Sequence, residues 1–308
     1  IICLLYLRFT YINLPIKTYD TYGYYKNAIY GNIYGTELIG GITFFLKNKL
    51  YLNHASCSLV FSFIGSIGII LLYSIIKNLT ANSDKKLKTL AGLIVYMPIL
   101  NMWTAAIGKD AITFTCINLI IFSYLKLNSR FLLLIISATF LTLTRSYVGI
   151  VLVFGLSISL ILKKSLPLIY KLFFIICILV SMPIIINLVL GQIGNWVLDF
   201  TVNEYSGMIS EFANETNIGN TSIDISSYSL PMKIFSYLFR PFLFEANSLF
   251  TFLMSLENTI VLLIIFYPIL ISIKNFKFRK IEVDSFKVFL VIFILGTLIP
   301  YAYVTSNL

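Results

Sequence analysis

Lys109, Asp110 and Arg145 interrupt runs of the chain that are otherwise apolar. An ionisable group at hydrocarbon depth costs about 2.5–3.5 kcal/mol on insertion scales, so each of the three needs a partner or a task. Two cations brought to one cavity suit a phosphate, Arg145 as a planar fork and Lys109 as a point charge. The plainer reading is that Lys109 and Asp110 neutralise each other, or reach the interface along their aliphatic stems. A second group is Arg240-Pro-Phe-Leu-Phe-Glu245-Ala-Asn247. Arg240 and Glu245 either pair with each other or add a third cation and a second carboxylate to the same cavity. Pro241 stiffens this approach, and Asn247 suits the N-cap of a following helix. Glu257 lies about ten residues into the next apolar run, roughly 15 Å deep, as a protonated structural acid or a working one.

Asp20 is the first acid of the chain and the only one before Glu37, and it stands among Tyr19, Tyr22, Tyr24, Tyr25 and Tyr30. Tyrosines so placed are most simply an interfacial belt. Their faces and hydroxyls also suit sugar rings, as does Trp103. A lone carboxylate that takes a proton from a hydroxyl nucleophile acts as a general base. Other signals carry less. His54, the single histidine, reads as a cap or interface residue, and the four cysteines are too scattered for a disulfide framework or a metal site. Ser123-Tyr-Leu-Lys126 matches S-x-x-K by spacing alone, and the sequons at Asn214 and Asn220 are common by chance.

These residues sit in a 308-residue chain that is 58% hydrophobic and 12% charged, with mean hydropathy +0.91. Soluble domains carry about 25% charged residues, so the composition rules out a water-soluble globule and predicts an all-α, polytopic transmembrane bundle. About eight to nine spans are expected, some of them short paired helices. Apolar stretches run from about 57 to 76, 168 to 190, 248 to 273 and 288 to 304. Two broken pairs lie between them: 89–102 with 111–125, and 131–143 with 147–162. A helix of about 14 residues rises only about 21 Å, too little to cross a full core, so the tips of the broken pairs lie deep. Irregular backbone at that depth must be buried in protein or line a wet cavity, which places Lys109, Asp110 and Arg145 at a cavity.

The loops 77–88, 126–130, 163–171 and 274–287 fall on one side and hold 14 basic residues, so that side reads as cytoplasmic. A first outer loop, 8–55, and a large loop, 191–247, fall on the other. The net charge of +10 is thereby a matter of sidedness, and nucleic acid is not an expected partner. The whole chain reads as one integral-membrane domain in a bacterial cytoplasmic (inner) membrane. It begins at Ile1 and ends at Leu308, directly beside apolar runs, and so reads as a fragment.

Pro98-Ile-Leu-Asn-Met-Trp103-Thr-Ala-Ala-Ile-Gly108-Lys109-Asp110, Leu143-Thr-Arg145-Ser-Tyr-Val-Gly149, Arg240 to Asn247 and Leu256-Glu257-Asn258 together resemble a family of bacterial envelope-polysaccharide membrane proteins similar to the GT-C glycosyltransferases. The likeness spans Asp20 to Asn307. It implies an outer-face active site, a polyprenyl-phosphate or polyprenyl-diphosphate sugar donor, and an acid in the first outer loop as base, the position of Asp20. No cofactor is expected. A divalent metal is left open, because many GT-C enzymes carry two adjacent acids where this chain has Asp20 alone.

The leading expectation is an inverting transferase. Asp20 deprotonates an acceptor hydroxyl on a lipid or glycan, while Lys109, Arg145 and Arg240 stabilise the departing lipid phosphate. Trp103, Asp110, Tyr24, Glu245, Asn247 and Glu257 support the site. One alternative is a repeat-unit polymerase of O-antigen or capsule, though the large outer loop holds one arginine where such enzymes are expected to hold many. A transporter of lipid-linked sugar or a non-catalytic membrane subunit are the others.

Overall fold

The structure, a computed structural model, describes residues 19–28, 34–83, 85–163, scattered positions between 168 and 179, and residues 228–246, 249–274 and 284–304. Every regular element among them is helical. In chain order these are α1 (Tyr19–Lys26), α2 (Gly35–Asn48), α3 (His54–Leu79), α4 (Lys85–Leu93), a 3-10 turn (Ile94–Tyr96), α5 (Pro98–Trp103), α6 (Lys109–Leu125), α7 (Leu127–Thr144) and α8 (Ser146–Leu162). After the undescribed stretch come α9 (Leu230–Phe239), a 3-10 turn (Leu243–Glu245), α10 (Leu249–Lys274) and α11 (Ser285–Val304). By its internal contacts the chain falls into two compact units, residues 1–149 and 150–308.

In the first unit α6 is the central helix, packed against α3 on one side and α7 on the other. Burial follows from the sequence of α3. Ser58, Ser62, Ser66 and Gly68 face inward, and Leu59, Phe63, Ile67 and Ile70 face outward. The small residues let α6 come close: a Cβ at Gly68 would sit 2.7 Å from Phe114 and 2.8 Å from the Thr115 hydroxyl. That hydroxyl donates both to Ala111 O, one turn back, and across to Ile64 O, each at 2.8 Å. On α7, Leu134, Ala138 and Leu141 face inward while Leu132, Ile136 and Phe140 are exposed. Many inward hydroxyls bond within their own helix, among them Ser66 to Ser62 O, Ser137 to Leu133 O and Thr144 to Phe140 O. Such back-bonding satisfies a buried hydroxyl without a neighbour.

The expected breaks are present. α5 starts on Pro98, a position that tolerates a missing N–H, and the buried Asn101 staples this segment by donating to Val95 O and Met97 O. Between α7 and α8 Arg145 alone is non-helical: its N–H closes α7 on Leu141 O at 2.8 Å, and its carbonyl opens α8 by accepting from Gly149 N at 2.9 Å. This corner is tight, since a Cβ at Gly149 would lie 2.6 Å from the Thr142 Cα. Gly149→Ala is therefore expected to cost about 1–3 kcal/mol of overpacking strain, visible as a lowered unfolding temperature, whereas Gly108→Ala, open at that position, should not. The basic turn at 126–130 is equally compact: Arg130 lies over the Phe122 ring at 3.7 Å and donates to Phe122 O.

Two differences from the sequence reading stand out. Residues 8–55 are not simply a loop, because α1 and α2 lie within them, and α2 buries Ile39, Gly40, Thr43 and Leu46. The segment 191–247, read from the sequence as a large loop, likewise contains α9 and a 3-10 turn. Among the described residues one helix, α3, is long and apolar enough to cross a membrane, with mean hydropathy 2.4. Shorter apolar helical stretches occupy Ser129–Thr144, Ser146–Leu162, Thr251–Phe266 and Ser285–Ile299. The expected span at 168–190 lies mostly outside the described residues.

In the second unit α9 packs on α10 and α11. Gly155 lies against Ile292, Gly296 against Val151, and Ser159 donates to Ser285 O at 2.6 Å.

Candidate functional site

The first unit brings two of the expected site residues into contact. Arg145, at the α7–α8 corner, donates to Asp110 in the first turn of α6 at 2.5 Å. The pairing sets Asp110 against Arg145, 35 positions away, where the plainer of the two sequence readings set it against Lys109. Adjacent residues on a helix point about 100° apart, whereas the antiparallel α6 and α7 end side by side. Both partners remain reachable, with side chains 31% and 41% exposed. Asp110 also suits its place, a carboxylate at the positive end of a helix. Lys109, half-buried, opens the same helix, and Trp103 ends α5 just before the break with 44% exposure. The corner thus presents two cations and one carboxylate where three helix ends meet.

Asp20 lies on α1 in the same unit, and its side chain is outside the described residues. The helix that carries it is moored through Tyr25, whose hydroxyl reaches Leu52 O at 3.4 Å and whose carbonyl accepts from Lys47 at 3.2 Å. Tyr24 is half-buried on that helix. His54 is the first residue of α3, with Asn53 as the cap. Its ring lies 6.0 Å from Tyr22 and 5.4 Å from Tyr25.

In the second unit Arg240 and Glu245 pair with each other. Arg240 Nε donates to both carboxylate oxygens, at 2.9 and 3.1 Å, and its Nη2 also bonds Glu245. Tyr228 stands at 3.4 Å from the guanidinium. The Phe242 N–H donates to Glu245 Oε2, and Asn258 on α10 donates to Arg240 O at 2.7 Å. Tyr228 has neither a charge nor a motif to mark it in the sequence, and Asn258 entered there only within Leu256-Glu257-Asn258, without a role. Glu257, adjacent to Asn258, is buried at 9% exposure, and Lys233 on α9 at 8%. Asn247 lies outside the described residues.

The hydrogen bonds from Arg240 hold the Glu245 carboxyl below the usual carboxylate range, assisted by the Phe242 N–H and opposed by burial. A depressed folded pKa contributes stability that is full above the unfolded value, about 4.3, and is lost as pH falls through the folded one. Glu245→Gln is therefore expected to cost about 1.5–3 kcal/mol at neutral pH. The gap to the parent protein should stay level from about pH 8 to 5 and close in stronger acid, as read by unfolding in detergent.

Among the described residues no group of three or more His, Cys, Asp or Glu side chains is placed to hold a metal ion. No family model matches the chain, and neither a curated protein nor a solved structure matches it.

Proposed function

We propose that the chain is a polytopic, GT-C-like membrane glycosyltransferase. It would move a sugar from a polyprenyl-linked phosphate donor to a lipid or glycan acceptor at the outer face of a bacterial cytoplasmic membrane. The observation that carries this reading is the Arg145–Asp110 corner, with Lys109 beside it: reachable charge at the joined ends of apolar helices. The membrane setting is supported by the large apolar side chains that the helices leave outward, among them Leu59, Phe63, Leu132, Phe252, Leu263 and Val291, and by the serines and threonines buried beside the apolar core. Packing through small residues is the habit of helices in lipid.

On this reading Lys109 and Arg145 take the donor phosphate, and Asp110 holds the guanidinium in place until the anion arrives. Asp20 accepts the proton of the acceptor hydroxyl as its oxygen attacks the anomeric carbon and the lipid phosphate leaves. Arg240, already committed to Glu245, serves as a tie between the outer segment and α10, and the donor site is assigned without it. The test is direct. Full-length protein reconstituted with a lipid extract of its native membrane, given a polyprenyl-phosphate sugar labelled in the sugar, should pass label to a lipid or glycan acceptor in that extract. Saturable donor binding with no transfer to any acceptor of the native membrane would leave a transporter or accessory subunit as the better account.

A further inference from the structure

We infer that His54, the single histidine, is the positioning residue of the proposed base: it fixes the end of α1 that carries Asp20. The inference rests on the transferase reading and adds to it the group that holds the base in place. The sequence of α1, Tyr-Asp-Thr-Tyr-Gly-Tyr-Tyr-Lys, does not sustain a helix by itself. Eight residues fall short of the about 12–15 below which isolated helices are marginal in water, and Gly23 near the middle weakens it further. Burial does not make up the difference, since Thr21 to Lys26 all stay at least partly exposed. α1 keeps its place through a few side-chain contacts to its neighbours.

One group of contacts is centred on Tyr25. Its carbonyl accepts from Lys47 Nζ at 3.2 Å, its ring centroid lies 4.8 Å from the same ammonium, and its hydroxyl reaches Leu52 O at 3.4 Å. Tyr25 stands about 7.5 Å along the helix from Asp20 by helix rise, so these contacts alone do not fix the Asp20 end. His54 supplies the second group. Its ring meets Tyr22 at 6.0 Å and Tyr25 edge-on at 5.4 Å, and it hydrogen-bonds the backbone of Thr21, the residue next to Asp20. Its Nε2 is closed off from solvent.

His54 is itself firmly seated. It is the first residue of α3, whose cap Asn53 accepts from Ser56 N at 2.8 Å, and Ser58 donates back to His54 O at 3.0 Å. The same helix bears α6 on its flank, through the Thr115 hydroxyl on Ile64 O, and α6 begins with Lys109 and Asp110. α3 is thereby the common frame of the base and of the phosphate-binding corner, and His54 is the point at which the base is referred to it. Reacting groups keep productive geometry when rigid elements and locked neighbours support them.

The experiment uses full-length protein reconstituted with a lipid extract of its native membrane and a polyprenyl-phosphate sugar labelled in the sugar. His54→Ala should lower turnover about 10- to 100-fold, the loss expected of a misplaced reacting group, while binding of polyprenyl monophosphate stays within about twofold of the parent. Hydrogen exchange at α1 amides should quicken about tenfold, with α3 amides beyond the first turn unchanged. His54→Ala added to Asp20→Asn should cost no further turnover, because a base that is gone cannot be misplaced. Where His54→Ala does not fold, His54→Phe carries the test: it keeps the ring contacts, loses the bond to Thr21, and should lower turnover about threefold to tenfold at unchanged donor binding. A residue that merely held the unit together would weaken donor binding and slow the Asp20→Asn protein as well, and either result would overturn the inference. Unchanged turnover in the folded variant would do the same and leave the transferase reading standing. If the parent protein transfers no sugar, that reading falls and the positioning role falls with it.

Discussion

Arg145→Ala is expected to lower sugar transfer from a polyprenyl-phosphate donor by about 10²–10³, the usual loss when one preorganised donor to a developing anion is removed. The fold should hardly notice. The Arg145–Asp110 pair is partly exposed on both sides, and pairs of that kind contribute about 0.2–1 kcal/mol. Arg145→Lys should restore part of the rate, since a point charge replaces a two-pronged fork. The discriminating variant is Asp110→Asn. It breaks the ion pair but leaves the guanidinium, so transfer should stay within about tenfold of the parent if Arg145 meets the phosphate itself. Equal losses in Arg145→Ala and Asp110→Asn would mean that the pair serves only to hold α6 and α7 together, and the phosphate role would pass from Arg145. Initial rates in proteoliposomes, with unfolding temperatures measured alongside, separate the two outcomes.

Asp20→Asn carries the second large expectation. General-base assistance contributes about 10²–10⁴ to such reactions, and the amide keeps the shape of the side chain while removing its basicity. The turnover number should fall by that factor with donor affinity preserved, because the phosphate is assigned to α6 and the α7–α8 corner. Tyr25 and Lys47 moor the helix by their own contacts, and an unfolding temperature measured alongside separates lost chemistry from lost protein. Unchanged turnover would remove Asp20 from the chemistry.

The two breaks were legible because charge inside an apolar run is conspicuous: Lys109 does begin a helix and Arg145 does separate two. Who pairs with whom was not. The spacing left Asp110 open to its neighbour Lys109 and named no other partner for it; only the antiparallel return of α7 brings Arg145 to it. α1 and α2 were hidden for a different reason. Gly35, Gly40, Gly41 and the tyrosines lack an apolar period, and burial of Ile39, Thr43 and Leu46 against neighbouring helices overrides their weak local preference. The Arg240–Glu245 pair was one of two readings offered by the spacing. Its reinforcement by Tyr228, the Phe242 N–H and Asn258 depends on tertiary placement that no spacing encodes.

The habit of inward hydroxyls to bond one turn back along their own helix has a consequence for biogenesis. Ser58, Ser66, Ser137, Thr144, Ser157 and Thr297 each find an acceptor before any other helix arrives. On the membrane reading, each segment can leave the translocon singly without carrying raw polar groups into lipid. Assembly is then decided afterwards by fit at glycines such as Gly68 and Gly149. A bulky residue at either position should yield chains that insert normally and are degraded as unassembled helices.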